Sequence, residues 1–329
     1  MKLLKEKGLF MIFTAKGDPH ARYDVQLSEI NRMIKEDPER LIQLTERYYS
    51  EQIQNTAQRI KNAGQHIVLL SGPSGSGKTT TADKLKICLS AFGKTAHVVS
   101  LDDFFLGKGR YPKLPDGRDN FESVYALDLQ LIRKTICDML DKGFARMPRF
   151  DFGISERINN AYELTVGEND IVIFEGIHAL NPILLPENHG ADAHKMYVSP
   201  KCTVLDGEEE IISGKDLRLT RRMIRDRKFR HYAYQQTVAI WDNVLDGERE
   251  NITPFANTAD SVVDTTHFYE YGLYSAYLAT VQNYDGLEKE MTTVVKIKKK
   301  FDRFSFVSPS IVPNGAMIRE FIGKDEKDV

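Results

Sequence analysis

Apolar residues follow two alternating patterns along this chain from residue 65 onward. Short, nearly continuous apolar runs predict buried strands at residues 66–70, 97–100, 171–174, 195–198 with 203–205, and 261–263. Between these runs, apolar residues recur at helical spacing and predict helices at residues 79–91, 127–142, 217–228 and 234–245. This alternation is typical of an α/β fold in which helices cover both faces of a parallel sheet. Ligands of such sheets bind at the carboxyl ends of the strands.

The first part of the chain shows only the helical pattern and contains no chemical motif. Pro38 suits the first turn of a helix, and Gly64 suits the position just after a helix ends. We therefore expect an N-terminal helical region at residues 1–63. A larger α/β domain is expected to follow at residues 64–329.

The last part of the chain has a different pattern. Residues 292–297 and 304–307 have the composition of two short strands. The charged residues 298–303 between them are typical of a turn. Together they predict a small accessory β-hairpin at about residues 288–310.

The composition narrows the class of protein. Hydrophobic residues make up 41% and charged residues 28%, which is ordinary for a soluble globular protein. The net charge of −2 argues against a general nucleic-acid binder. No apolar run approaches the ~20 residues that span a membrane, and the N-terminus lacks the features of a secretory signal. The three cysteines are widely spaced and form no metal-binding pair. We expect a cytoplasmic protein with neither nucleic-acid nor membrane partners.

A predicted strand, a glycine-rich turn and a predicted helix follow one another, and the turn reads Gly72-Pro-Ser-Gly-Ser-Gly-Lys-Thr79. This is the spacing of a phosphate-binding P-loop in its usual context. Its glycines are expected to adopt positive φ angles, which let backbone N–H groups approach a phosphate beside the helix N-terminus. The motif predicts a nucleoside triphosphate site formed by Gly72, Ser74, Gly75, Ser76, Gly77, Lys78, Thr79 and Thr80.

Two residues of this motif and one later carboxylate predict how the phosphates and a metal are held. Lys78 is expected to reach the β- and γ-phosphates, and Thr79 to offer its hydroxyl to Mg²⁺. Glu175 follows the apolar run at residues 171–174, where a P-loop enzyme has the acidic partner of its metal. The alternative is an ordinary carboxylate at a strand end. We expect ATP and Mg²⁺ as cofactors, with Thr79 and Glu175 as metal ligands.

Asp102 and Asp103 follow the predicted strand at residues 97–100. A carboxylate at this position faces the same crevice as the P-loop. It can accept a proton from an acceptor hydroxyl while the phosphoryl group is transferred. The alternative role is a helix cap, which aspartate performs well. We expect Asp102 to be the catalytic base, which leaves Asp103 for capping.

A predicted helix near the middle of the chain is rich in arginine. Arg218, Arg222 and Arg225 are spaced i, i+4 and i+7, so they share one side of it. Guanidinium groups bind phosphoryl oxygens in pairs of hydrogen bonds, which suits this side to phosphoryl transfer. The alternative is a charged helix face in solvent. His178, three residues after Glu175, is either structural or part of the acceptor site.

With these motifs in order, the chain resembles the uridine kinase and phosphoribulokinase family. The similarity extends over roughly residues 38–323 and rests on the segments 72–79, 100–105, 119–122, 149–152 with Arg157, 170–176, and 218–226. The chain is most similar to the bacterial nucleoside-kinase branch that is fused to threonyl-tRNA-synthetase-like N-terminal domains. The resemblance implies that residues 1–63 are a remnant of that fusion. It also implies a P-loop NTPase fold with an arginine-rich lid at about residues 218–250.

The same resemblance implies an activity and roles for single residues. The activity is Mg²⁺-dependent transfer of phosphate from ATP to the 5′-hydroxyl of a uridine- or cytidine-like nucleoside, by a homo-oligomer (dimer or tetramer). Asp102, Lys78 and Arg225 would be catalytic, and Arg222 and Arg227 would bind ATP. The residues implied in acceptor binding are Phe105, Glu122, Phe150, Asp151, Arg157 and His178.

The acceptor site departs from the family pattern at two positions. Phe150 and Ser155 stand where uridine kinases have a tyrosine and a histidine that help to distinguish the base. Loss of a phenol and an imidazole removes hydrogen-bonding groups that select one base over another. Two alternatives therefore remain open, a kinase of another small alcohol such as a sugar phosphate and a non-catalytic P-loop switch.

Overall fold

The computed structural model describes residues 21–186, 193–278 and 287–324. Its strands are β1 (Tyr23–Gln26), β2 (Ile67–Ser71), β3 (Ala96–Ser100), β4 (Phe144–Asp151), β5 (Glu156–Thr165), β6 (Ile171–Glu175), β7 (Ala193–Ser199), β8 (Cys202–Asp206), β9 (Glu209–Ile212) and β10 (Ser261–Asp264). Its α-helices are α1 (Leu27–Glu36), α2 (Pro38–Ala63), α3 (Lys78–Ala91), α4 (Leu129–Lys142), α5 (Gly214–Phe229), α6 (Tyr234–Ala239), α7 (Trp241–Asn251), α8 (Thr253–Ala256), α9 (Tyr271–Leu278), α10 (Glu288–Phe301) and α11 (Arg319–Ile322).

A five-stranded sheet in the order β10-β7-β2-β6-β3 forms the centre of the fold. All four strand pairs in it are parallel. Every residue of β2 is buried, and alternate residues contribute to two different hydrophobic clusters. Val68 and Leu70 belong to one cluster, whereas Ile67 and Leu69 belong to the other. The predicted α/β fold with both sheet faces covered is therefore confirmed.

The N-terminal segment packs against this core. Asp37 accepts a hydrogen bond from the Arg40 N–H, Pro38 lies in the first turn, and Gly64 ends α2 at a φ of 65°. Tyr49 is buried in the same hydrophobic cluster as the central sheet. The segment is not wholly helical, because β1 pairs in parallel with β8 in a three-stranded sheet. The sequence pattern changes at residue 63, but the segment before it shares a core with the rest. The division into domains at residues 1–63 and 64–329 therefore stays a prediction.

The prediction of a hairpin at about residues 288–310 is wrong. Residues 292–297 lie within α10, and residues 304–307 belong to no strand. The buried residues of α10 are Val294, Ile297 and Phe301, which have helical spacing. Packing of this face outweighs the strand preference of the β-branched residues. No helix in the described ranges is long and apolar enough to cross a membrane.

A hairpin is formed instead by β4 and β5, which pair antiparallel, as β8 and β9 also do. The burial of β4 largely alternates, whereas every residue of β5 is exposed or half-buried. A strand exposed on both faces needs no hydrophobic alternation, so the apolar pattern did not predict it. This hairpin ends beside the functional site described below.

Candidate active site

The P-loop connects β2 to α3 at the carboxyl edge of the central sheet. Gly75 and Gly77 adopt φ angles of 75° and 88°, as expected. Gly72 is not among the positive-φ glycines, which corrects that part of the expectation. A Cβ at Gly72 would lie 2.1 Å from the Val198 carbonyl oxygen, so glycine is needed here for close packing against β7.

The loop has the features of a phosphate site. The buried Ser76 hydroxyl has no hydrogen-bond partner among the described residues. The Lys78 ammonium is 3.3 Å from the Pro73 carbonyl oxygen, and burial lowers the pKa of Lys78, opposed by Glu175. Backbone N–H groups, an unpaired hydroxyl and a partly desolvated cation are the groups that bind phosphate oxygens. A nucleoside triphosphate therefore fits this loop.

Glu175 ends β6 directly beside the end of β3. The Ser100 hydroxyl donates a 3.0 Å hydrogen bond to its carboxylate. Burial and the negative charge of Asp102 raise the pKa of Glu175 to about 7, and Lys78 opposes the shift. A group of three or more His, Cys, Asp or Glu residues placed to bind a metal is not found in the described ranges. Mg²⁺ held by Glu175 and the exposed Thr79 hydroxyl would need phosphate and water ligands as well, which is usual for this ion.

Asp102 and Asp103 lie in a short 3₁₀ helix that follows β3. Ser100 caps this helix, so neither aspartate has the capping role considered for it. The Asp103 carboxylate instead accepts a 3.0 Å hydrogen bond from the Phe150 N–H at the end of β4. Asp102 remains open to the cleft. The protein around it raises the pKa of Asp102 by desolvation, against an opposing effect of Lys78.

Aromatic side chains form a cluster next to these aspartates. The centroids of the Phe105 and Phe150 rings are 5.6 Å apart, and those of Phe150 and Phe152 are 4.9 Å apart. Tyr111 contacts Phe105 and Phe121 edge-on, with centroid distances of 6.1 Å and 4.7 Å. Phe121 and Phe152 are about half exposed. The sequence indicated Phe105 and Phe150 but not the other three, although Phe121 and Phe152 lie within matched segments and only Tyr111 lies outside them.

Glu122 packs against α7 and is within electrostatic reach of Arg222 in the arginine-rich helix. A Cβ at Gly247 would be only 2.3 Å from the Glu122 Cβ, so the Glu122 side chain packs directly on Gly247. Burial raises the pKa of Glu122 to about 7, opposed by Arg222 and Lys78. A buried carboxylate influenced by two nearby cations can accept hydrogen bonds from hydroxyl groups of a substrate.

Asp151 and Arg157 have contacts that the sequence did not indicate. The Asp151 carboxylate accepts the Gly153 N–H at 2.8 Å and so stabilises the hairpin turn. Arg157 forms a 3.0 Å ion pair with Asp128, which caps α4. Both residues hold the hairpin in place, and their direct contact with an acceptor stays a prediction.

The arginine-rich helix α5 begins with a capping box formed by Ser213 and Asp216. Arg218 donates to the Ser74 carbonyl oxygen at 3.2 Å. Arg222 donates to the Ser74 hydroxyl at 2.9 Å. Two of the three aligned arginines therefore contact the P-loop, which is the side of the helix that the spacing indicated. The start of α5 therefore packs against the P-loop, and the arginine-rich lid at about residues 218–250 stays a prediction.

Two further arginines, Arg225 in α5 and Arg230 at its end, contact one buried carboxylate. Arg225 and Arg230 pair with Asp226 at 2.8 Å and 3.3 Å. Arg227 is exposed. The positive charge of Arg225 opposes the rise in the pKa of Asp102, so Arg225 acts electrostatically on the cleft. The roles predicted for Arg225 and Arg227 stay predictions.

This geometry is accompanied by similarity to known proteins. The model of the Phosphoribulokinase / Uridine kinase family matches residues 67–183. Together with the relatives named next, this match supports a P-loop kinase related to this family. It is similar to a uridine kinase of Ureaplasma urealyticum serovar 10, with 23% identity over 179 residues, 54% of this chain and 77% of that protein. It is also similar to a uridine kinase of Staphylococcus haemolyticus, with 23% identity over 202 residues, 61% of this chain and 88% of that protein. The solved structure of a "Possible Uridine Kinase" from Bacillus stearothermophilus covers 65% of this chain and 98% of its own, with 17% identity and a TM-score of 0.44.

One buried arginine of this kinase was missed by the sequence pattern. The Arg221 side chain is fully buried and makes two hydrogen bonds to the Glu270 carboxylate, at 2.8 Å and 2.7 Å. It also donates to the Gly75 carbonyl oxygen at 3.2 Å and to the Thr265 carbonyl oxygen at 2.6 Å. Arg221 lies off the aligned face of α5, so helical spacing gave no reason to single it out. It ties the P-loop to the segment that follows β10.

The side chain of His178, three residues after Glu175, is buried. Neither of its ring nitrogens has a hydrogen-bond partner among the described residues. Burial lowers the pKa of His178 to about 4, and the charge of Lys78 adds to this, so the ring is neutral at pH 7. A neutral imidazole can donate and accept one hydrogen bond each. This suits the predicted contact of His178 with an acceptor, which stays a prediction.

Proposed function

We propose that this kinase transfers the γ-phosphoryl group of ATP to the 5′-hydroxyl of a nucleoside, of the uridine or cytidine type. The supporting observation is the 3.0 Å hydrogen bond between Asp103 and the Phe150 N–H. It fixes the aromatic cluster beside Asp102, so a base stacked on these rings would leave its ribose near a carboxylate. Planar rings bind apolar, planar groups well, because stacking adds to the burial of apolar surface.

The proposed roles follow from the charges in the cleft. Asp102 accepts the proton of the 5′-hydroxyl, whose oxygen forms the new bond to the γ-phosphorus while the bond to the β-phosphate oxygen breaks. Lys78 and Arg225 balance the negative charge on the transferred group, because fixed cations in a water-poor cleft interact strongly with it. Glu122 holds the ribose hydroxyls. Mg²⁺, held by Thr79 and Glu175, would neutralise charge on the phosphates.

A sugar phosphate is the second candidate acceptor, and the hairpin contacts argue against it. Such a substrate needs additional cations beside the acceptor pocket. Both arginines there have contacts within the protein, although the buried Arg157 Nη1 atom has no hydrogen-bond partner among the described residues. Arg149 lies 5.7 Å from the centre of the Tyr162 ring, and Arg157 is paired with Asp128. The half-exposed aromatic rings therefore favour a nucleoside.

An acceptor screen tests this proposal. ADP release is measured with ATP and Mg²⁺ in the presence of each common nucleoside and of a panel of sugar phosphates. We expect pyrimidine nucleosides to stimulate release, with modest selectivity because Phe150 lacks a hydroxyl. Stimulation by sugar phosphates alone, or by no nucleoside, would contradict the proposal. A cytoplasmic location and a dimeric or tetrameric assembly belong to the same proposal.

The pKa of Glu122 predicts how acceptor binding depends on pH. Its pKa is raised to about 7, so the carboxylate that accepts hydroxyl groups is lost as the pH falls through that value. We expect the KM of the nucleoside to rise several-fold between about pH 8 and about pH 6, as the strong bonds to the ionised form disappear. Steady-state kinetics over this range measure it. Glu122→Gln is the control, since its amide does not titrate, and an unchanged pH dependence in this variant would contradict the assignment.

A further inference from the structure

Glu320, in the last described helix, contacts the P-loop helix. The first N–H groups of a helix have no partner within it and are free to bind other acceptors. In α3 the first helical hydrogen bond is donated by the Thr81 N–H to the Gly77 carbonyl oxygen. The Thr80 N–H is thus the last of the free donors that a P-loop offers to phosphates. The Glu320 carboxylate accepts this N–H at 3.2 Å and the Thr80 hydroxyl at 2.7 Å.

The segment that contains Glu320 is built against the P-loop; we call residues 312–323 the C-terminal clamp. A Cβ at Gly77 would lie 2.8 Å from the Met317 sulfur, so the clamp touches the loop itself. Lys84 of α3 donates to the Gly315 carbonyl oxygen at 2.9 Å. The buried Arg319 donates to the Val312 and Gly323 carbonyl oxygens and so keeps the clamp folded. Glu320 therefore reaches Thr80 from an ordered segment.

A carboxylate and a nucleotide phosphate cannot use the Thr80 N–H together. Both are anions, and each would need the position in front of the same donor. The negative charge of Glu320 is also among the effects that raise the pKa of Lys78 and of Glu175, so it reaches the rest of the site. A phosphate that enters the loop must displace this carboxylate or bind beside an uncompensated like charge.

We propose that Glu320 is an internal anion that competes with the phosphates of the nucleotide for the end of the P-loop. The C-terminal clamp then withdraws Glu320 from Thr80 when the nucleotide binds. This inference rests on the proposed binding of a triphosphate in the P-loop. It makes Glu320 a residue that weakens nucleotide binding in the resting kinase, in contrast to the cations that strengthen it.

The test is the equilibrium affinity of the full chain for ATP and for inorganic tripolyphosphate, measured by titration calorimetry without an acceptor. Glu320→Gln keeps an oxygen that can accept from Thr80 but removes the charge. We expect it to bind both probes about twofold to fivefold more tightly, the size of a carboxylate effect at a helix N-terminus. Glu39→Gln is the matched control, because Glu39 is an exposed carboxylate in the first turn of α2.

Tighter binding of both probes by Glu320→Gln, with the control at the wild-type value, supports the competition. Equal or weaker binding by Glu320→Gln overturns it. The outcome is separate from that of the acceptor screen, because no acceptor is present in the titration. Tighter ATP binding together with no nucleoside phosphorylation would remove the proposed function and leave the role of Glu320 intact.

Discussion

Asp102→Asn is expected to lower kcat by ~10²-fold or more while ATP still binds. The amide cannot take the proton of the acceptor hydroxyl. The shape of the side chain and the fold around it are retained, since Ser100 caps the 3₁₀ helix and Asp103 holds the hairpin. Steady-state turnover with the best nucleoside from the screen measures the loss. Calorimetric titration with ATP measures the retained binding.

A charge-matched control separates the base from a general effect of charge. Asp116→Asn removes a carboxylate from an exposed turn, where it contacts Arg118, and kcat should stay near the wild-type value. A non-catalytic P-loop switch would respond differently, because its nucleotide binding needs no base. A similar kcat in Asp102→Asn and wild type would therefore reject the role of Asp102.

The P-loop was the part of the site that the sequence predicted best, and the reason is local. Its donors, cation and glycines lie within eight consecutive residues, so their spacing alone specifies the geometry. Even there, Gly72 differs from the expectation. Glycine is required at this position because the Val198 carbonyl oxygen of a neighbouring strand lies so close. A local sequence motif contains no information about that contact.

Contacts between distant parts of the chain could not be predicted in the same way. Glu320 and Thr80 are 240 positions apart, and no spacing rule connects them. Tyr111 and Phe121 join the aromatic cluster through a loop without a periodic pattern. The residues of α10 have strand-favouring side chains, and only the buried face they form after folding makes them helical. Local propensity gave the wrong element there because packing decided it.

Arg221 and Glu270 connect three parts of the fold, of which α5 and the P-loop contribute to the site. Arg221 belongs to α5, its Gly75 contact belongs to the P-loop, and Glu270 follows β10. The Tyr274 hydroxyl donates to the same carboxylate at 2.7 Å. Both charged side chains are fully buried. In the described part of the chain, Arg221 is the only full positive charge that contacts Glu270.

Arg221→Met is expected to lower the free energy of unfolding by about 3–5 kcal/mol, because it leaves Glu270 charged and buried without its partner. Urea unfolding of the full chain, followed by circular dichroism, measures this loss. Arg227→Met on the exposed side of the same helix should change stability by less than about 0.5 kcal/mol. Adding Glu270→Gln to Arg221→Met should recover part of the loss, since the unpaired charge is then gone. If Arg221→Met were as stable as Arg227→Met, the buried pair would not hold these elements together, and the position of the P-loop would depend on the hydrophobic core alone.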